Sequence, residues 1–319
     1  MEVTRVRSLA ERLQKNMESV IQGKSDVIAK VILTVLCEGH ILLEDLPGTG
    51  KTTLAKALAK SIDCRFHRVQ FTPDLLPSDL TGINFFDQKT ADFTFRPGPV
   101  FTNILLGDEI NRATPRTQSS LLECMEERQV SVDGVTYPLE KPFFVVATQN
   151  PVEIQGTFPL PEAQLDRFFM RLSMGYPAPE FEKAMLSARL GSDPAEGLSA
   201  VVSREELIEA QQAIRTVRVG DAVQDYLIAL VTGTRTHPTI RMGVSPRGTL
   251  ALQRAAQAHA AVEGRDFVLP DDVKAVCVDV LAHRILCKGR SLTQGAEPSA
   301  AALRQILADT RVPIEAEAR

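Results

Sequence analysis

The run Leu46-Pro47-Gly48-Thr49-Gly50-Lys51-Thr52 constrains this chain more than any other feature. It follows an apolar segment, 40–44, and opens a helical pattern over 51–62, so it reads as a glycine-rich loop between a strand and a helix. Such a loop lets backbone N–H groups converge on the oxygens of a triphosphate at the positive end of the helix dipole. Lys51 supplies a cation for the β- and γ-phosphates of ATP, and Thr52 a hydroxyl for Mg2+. The strict G-x-x-x-x-G-K-[ST] pattern asks for glycine at position 45, where this chain has Asp45. The bland alternative is a flexible turn with a helix cap. A strand before the loop and a helix after it argue against that.

The first half of the chain supplies the sheet such a loop needs. Apolar runs at 40–44, 65–71, 103–108, 143–148 and 168–174 alternate with helical patterns, notably 51–62 and 117–127. That alternation is the signature of an α/β domain with a largely parallel sheet. Two stretches break it. Asp133-Gly134 between two short β-prone runs predicts a hairpin over 130–139, because both turn positions tolerate positive φ. A second hairpin is expected over 82–96, where Asn84-Phe85-Phe86 and Phe93-Thr94-Phe95 flank a polar tip. Extra hairpins on an α/β core are candidate contact elements. Beyond the linker Gly175-Tyr176-Pro177-Ala178-Pro179 no strand pattern recurs, and the capping box Ser203-Arg204-Glu205-Glu206 opens a series of helices. The expected division is an α/β core over 1–177 and an all-helical domain over 178–319.

A phosphate loop also needs an acid at the end of a neighbouring strand. Ile104-Leu105-Leu106-Gly107-Asp108-Glu109 offers two: Asp108 to hold Mg2+ through water, and Glu109 to polarise the attacking water. Taken alone, such acids more often face solvent. Asn150 follows the apolar run 143–148. If that strand lies between the phosphate-loop strand and the Asp108 strand, Asn150 can orient the same water, although Asn before Pro also starts turns. Arg167 precedes the last strand, and Arg247 follows Ser245 and Pro246 at a helix start. In isolation each reads as a surface cation.

Composition limits the partners. The net charge of −4 argues against a broad basic face for nucleic acid, and the hairpin tips 87–90 and 133–134 carry one lysine against two aspartates. No apolar stretch approaches the roughly 20 residues of a membrane span. The N-terminus lacks a signal-peptide core, and the five cysteines form no C-x-x-C pair, so reduced thiols in a cytoplasmic protein are expected. The five histidines do not cluster at ligand spacing. The charge run 123–128 reads as a solvated helix face. Arg112 and Arg116 fit either helix-start ion pairs or a subunit interface.

Taken together, these segments resemble the MoxR family of AAA+ ATPases along the whole chain. The resemblance runs from Val20-Ile21-Gln22-Gly23 through Leu43-Glu44-Asp45-Leu46, Gly107-Asp108-Glu109-Ile110-Asn111-Arg112-Ala113 and Ala147-Thr148-Gln149-Asn150-Pro151 to Ser245-Pro246-Arg247. Its most specific part is Gly156-Thr157-Phe158-Pro159-Leu160-Pro161-Glu162-Ala163-Gln164-Leu165-Asp166-Arg167-Phe168. Asp45 is ordinary in AAA+ proteins, which use a shorter G-x-G-K-T core. The resemblance implies a P-loop core with a helical lid, and nucleotide contacts from Gly23, Pro47, Gly48, Thr49, Gly50, Lys51, Thr52, Thr53, Asp108 and Arg247. It implies catalytic roles for Lys51 and Glu109, Asn150 as sensor 1, Arg167 as a finger acting on a neighbour's ATP, and Arg247 as sensor 2, in cis or in trans. It further implies a homo-oligomeric ring, expected to be hexameric, and a chaperone-like remodeller whose partners bear von Willebrand factor A domains. A nucleic-acid motor and a non-hydrolysing nucleotide switch are the competing readings. Intact Glu109, Asn150 and Arg167 argue against the switch.

Overall fold

The computed structural model describes residues 2–46, 48–89, 91–150, 156–188, 194–288 and 297–313. Two helices come first, α1 (Val3–Glu18) and α2 (Ser25–Leu36), followed by β1 (Ile41–Glu44), α3 (Lys51–Ser61) and β2 (Phe66–Gln70). A short α4 (Pro77–Thr81) leads into the hairpin β3 (Gly82–Asp87) and β4 (Asp92–Pro97). Next are β5 (Ile104–Asp108), α5 (Pro115–Glu127), the hairpin β6 (Gln129–Val132) and β7 (Val135–Pro138), and β8 (Phe144–Gln149). The core closes with α6 (Glu162–Leu165) and β9 (Met170–Leu172). The remainder holds α7 (Pro179–Ala188), α8 (Arg204–Ile214), α9 (Asp221–Thr236), β10 (Ile240–Met242), α10 (Pro246–Val262), α11 (Pro270–Leu281), β11 (Leu286–Cys287) and α12 (Glu297–Asp309).

The main sheet has the order β2-β5-β8-β1-β9, and its strand pairs are all parallel. Its central strands are apolar at successive positions because both faces are covered. Side chains alternate between the faces. Ile41 and Leu43, Ile104 and Leu106, and Phe144 and Val146 join a core with α1, α2, α3 and the C-terminal helices. Leu42, Leu105, Val145 and Ala147 join a second core with Leu121, Leu122, Cys124 and Met125 of α5. The first core runs without a break from Val6 in α1 to Ile306 in α12. The helical part is therefore packed onto the sheet through α1 and α2, whose apolar residues recur at helical spacing: Val6, Leu9, Ala10, Leu13 and Met17 in α1.

Both expected hairpins form. Asp133 and Gly134 take φ values of 49° and 80°, as a tight two-residue turn requires. The hairpins lie against each other: Phe95 stacks on Tyr137 with ring centroids 4.0 Å apart, and the Asn84 amide donates to Asp133 at 2.8 Å. One expectation needs correction. The C-terminal part is not wholly helical, because β10 pairs antiparallel with β11. The helix α11 ends at Leu281, and the chain turns through Ala282–Arg284 into β11. Strands of three and two residues are too short to show alternation in sequence. No helix among the described residues is long and apolar enough to cross a membrane.

Candidate functional site

The phosphate loop leaves the C-terminal end of β1. Gly48 and Gly50 take φ values of 81° and 93°, in the left-handed region that other residues enter at a cost. A Cβ on Gly48 would meet no atom within 4 Å, so glycine is required there by the backbone and not by packing. Lys51 is buried, and its ammonium donates to the carbonyls of Asp45 at 3.0 Å and Leu46 at 3.3 Å. The Thr49 hydroxyl donates to the Leu46 carbonyl at 3.3 Å. Thr52 and Thr53 follow in the first turn of α3, both half-buried. Pro47 lies outside the described residues.

Asp45, which departs from the strict motif, has a structural task. Its carboxylate accepts from the N–H of Met174, from the N–H of Gly175 at 3.1 Å and from the Ser173 hydroxyl at 3.1 Å. It thereby ties the phosphate loop to the chain leaving β9. Lys24 grips the same segment, donating to the carbonyls of Met174 and of Tyr176, the latter at 2.8 Å. Beside it, Gly23 has a φ of 70°, and a Cβ there would stand 2.4 Å from the Phe181 ring. Glycine at this position lets the N-terminal box close on the start of α7.

Asp108 ends β5, next to β8, and Glu109 follows it. The Thr148 hydroxyl links them, donating to Asp108 Oδ1 at 2.6 Å and accepting from the Glu109 N–H at 2.8 Å. Arg68 donates to Asp108 Oδ2 at 2.6 Å. Glu109 has a φ of 56°, and its Oε2 accepts from Gln70 at 2.8 Å and from Arg112 at 2.9 Å. Arg112 thus makes the helix-start ion pair that the sequence allowed. The central strand β8 does lie between β5 and β1, so Asn150, buried one residue past its end, stands between the acids and the phosphate loop. Arg68, Gln70 and Thr148 were not singled out from sequence. Arg68 and Gln70 fall two apart on β2, the strand paired with β5, and that alternation was the available signal.

Arg167 and Arg247 are not at this edge. They line a cavity of about 570 Å³ with Gly39 and His40, which precede β1, and Phe169, which precedes β9. Since the strands are parallel, this is the N-terminal edge of the sheet. Arg167 Nε lies 3.0 Å from Glu126 Oε2, and Arg247 donates to Oε1 of the same carboxylate. Arg128, Arg215, Arg254 and Arg284 also line the cavity, against the acids Glu38, Glu126 and Asp166. Arg284 donates to Asp166 at 2.8 Å, and burial pushes its pKa down to about 10 even beside that carboxylate. Glu126 belongs to the charge run read above as solvated. Glu126 is exposed, as that reading expects, and its carboxylate also pairs with both arginines.

The cysteines are free thiols, and burial raises Cys64, Cys124 and Cys277 to about 12. Among the described residues no three His, Cys, Asp or Glu side chains cluster as a metal site.

Comparison with known proteins gives a consistent picture. Residues 40–170 match the ATPase family associated with various cellular activities (AAA), and residues 232–306 match the AAA lid domain. The chain is 39% identical over 297 residues to Chaperone MoxR1 of Mycobacterium tuberculosis, covering 90% of this chain and 78% of that one. It is 35% identical over 317 residues to Protein MoxR of Paracoccus denitrificans, covering 92% and 91%. A crystal structure from Cytophaga hutchinsonii, assigned there as an ATPase, superposes with a TM-score of 0.87 at 36% identity, covering 98% of this chain and 97% of that one.

Proposed function

The chain belongs to the MoxR family of AAA+ ATPases and hydrolyses ATP, and from that premise we propose that each active site is built from two subunits of a ring. The carrying observation is the separation of Arg167 and Arg247 from Lys51, with the four residues of β1, about 13 Å of strand, between the two edges. That span exceeds the reach of an arginine side chain. Both guanidiniums therefore act in trans, on ATP held by the neighbouring subunit's phosphate loop. The same separation favours trans over cis for Arg247 as sensor 2.

On the cis side, Gly48 to Thr53 cradle the triphosphate and Lys51 leaves its two carbonyls for the β- and γ-phosphates. Thr52 and Asp108 offer hard oxygen donors, a hydroxyl and a carboxylate, of the kind Mg2+ prefers. Bound there, Mg2+ would neutralise charge on the phosphate oxygens. Glu109 takes a proton from the attacking water and Asn150 orients it. Gln70 and Arg112 hold the Glu109 carboxylate, so they set when it is free to act as a base. In trans, Arg167 meets the negative charge that develops as the γ-phosphoryl group is transferred.

The ring works as a chaperone-like remodeller in the cytoplasm, with six subunits and with protein clients bearing von Willebrand factor A domains. A relative carries the chaperone name, and the exposed aromatics Phe85, Phe86 and Phe93 on the β3–β4 hairpin are suited to an apolar client surface. The same hairpins are poor material for gripping phosphate, and the comparisons do not support a nucleic-acid motor. The division proposed is a nucleotide-binding core over 1–177 and a lid over 178–319. The test is the ATPase rate per subunit against protein concentration, with mass measured in parallel. It should rise as rings replace monomers. A full rate from monomers would overturn the two-subunit site.

A further inference from the structure

Glu126 stands in the last turn of α5, and its two oxygens each receive a different guanidinium: Arg167 Nε at 3.0 Å on Oε2 and Arg247 on Oε1. The arginines come from separate parts of the molecule, one just before β9 in the core and the other in the first turn of α10 in the lid. Their backbones are already fixed by a second carboxylate. Asp166 accepts from the Ser245 hydroxyl at 2.9 Å and from Arg284 Nε at 2.8 Å. Arg284 in turn donates to the carbonyls of Phe168 at 2.7 Å and Phe169 at 3.1 Å. The start of α10 is also tightly packed, since a Cβ on Gly248 would stand 2.5 Å from Val244 and 2.9 Å from Arg284. What these contacts leave undetermined is the direction of two long, like-charged side chains. Water would let them separate. A single carboxylate accepting from both holds them together.

We propose that Glu126 is a positioning residue for ATP hydrolysis: its carboxylate joins Arg167 and Arg247 into one paired cation aimed into the cavity that receives the neighbouring subunit's triphosphate. This rests on the trans reading above. Glu126 does not touch ATP. It acts through the arginines, and because they belong to core and lid, it also makes the finger sensitive to the angle between the two. A lid shift that draws Arg247 away withdraws half of the support for Arg167.

The experiment compares Glu126→Gln with Glu126→Asp and with Glu123→Gln, an exposed control on the same helix, in full-length rings of verified mass. Glutamine keeps the shape but loses the charge that pairs two guanidiniums. The expected result for Glu126→Gln is a fall in kcat on the order of 10²-fold, the scale of a catalytic group displaced by about 1 Å. KM for ATP, set mainly by the intact phosphate loop, should change by less than about 3-fold, because transition-state contacts and not ground-state binding are lost. Glu126→Asp should recover part of kcat, and Glu123→Gln should match the wild type. The effects of Arg167→Ala and Arg247→Ala, coupled in the wild type, should become independent in the Glu126→Gln background. A wild-type or raised kcat in Glu126→Gln overturns the proposal, since a raised rate would make Glu126 a brake that competes with phosphate. Failure of the underlying reading looks different: there Arg167→Ala itself would leave kcat unchanged.

Discussion

The two edges of the main sheet are built in different ways. At the C-terminal edge the polar contacts of Lys51 and of the two acids are local or run between paired strands, while Lys24 and Asp45 tie the loop to the chain leaving β9. Lys51 bonds carbonyls five and six residues away, and Thr148 on β8 bonds Asp108 and Glu109 on the next strand. At the N-terminal edge the partners are distant in sequence: Arg247 and Glu126 are 121 residues apart, and Arg284 and Asp166 are 118 apart. The Lys51 and acid contacts of the first edge are set once the sheet forms. The second exists only once the lid helices have docked. On the proposed reading, such a division makes the nucleotide pocket robust and the arginines conditional on lid position and on assembly.

The largest effect expected from breaking this contrast is at the second edge. Arg167→Ala should lower kcat on the order of 10³–10⁵-fold, the range of a trans arginine, while titration with a fluorescent ATP analogue shows binding little changed. Glu109→Gln acts at the first edge, and a steady-state phosphate-release assay should register a loss of about 10²–10⁴-fold, as for a general base, with ATP still bound. Unchanged turnover would remove Glu109 from that role. Next is stability. Asp166→Asn leaves Arg284, whose side chain is 2% exposed, without its charged partner, and denaturant unfolding should report a loss of about 3–5 kcal/mol. The matching break at the first edge, Gln70→Ala, removes an exposed contact to Glu109 and should leave unfolding within about 0.5 kcal/mol of wild type.

A separate effect is a pH dependence. His40 lines the arginine cavity, accepts from the Val145 N–H on Nδ1 and faces the Met125 carbonyl with Nε2. Burial, with the charge of Arg128, pushes its pKa down from 6.5 to about 3. The unfolded chain therefore takes up a proton that the folded chain refuses. The stability tied to this group is complete above pH 6.5 and is lost as pH falls from 6.5 toward 3, at no more than about 1.4 kcal/mol per pH unit. His283 is pushed in the same direction by burial and by Arg284. Denaturant midpoints measured from pH 7 to 4 should fall less steeply for His40→Gln than for the wild type. Parallel curves would show that His40 does not contribute.

The same contrast explains what could be read from the sequence. The five sheet strands, both hairpins and the phosphate loop were legible because each is written in a short window: alternation, Asp-Gly at a turn, glycines before Lys51. The position of β8 could be stated only as a condition for Asn150, because strand order is not local. The small β10–β11 pair was hidden by its length. Arg68 and Gln70 were overlooked because the polar alternation of an edge strand resembles ordinary solvent exposure. The ion pairs of Glu126 were not foreseen for a related reason. On its own helix it sits among charged neighbours at exposed spacing, and its partners lie in two other segments that reach it only in the folded chain.

The division of the site between subunits is tested most directly by mixing. Arg167→Ala subunits retain a complete cis half, and Glu109→Gln subunits retain the arginines. Each variant alone should be nearly inactive. Mixed in rings shown to form, they should regain turnover wherever an intact Arg167 meets a neighbour with an intact Glu109, with a maximum at intermediate ratios. No recovery at any ratio, in rings proven to contain both subunits, would contradict trans catalysis and return Arg167 to a role within its own chain.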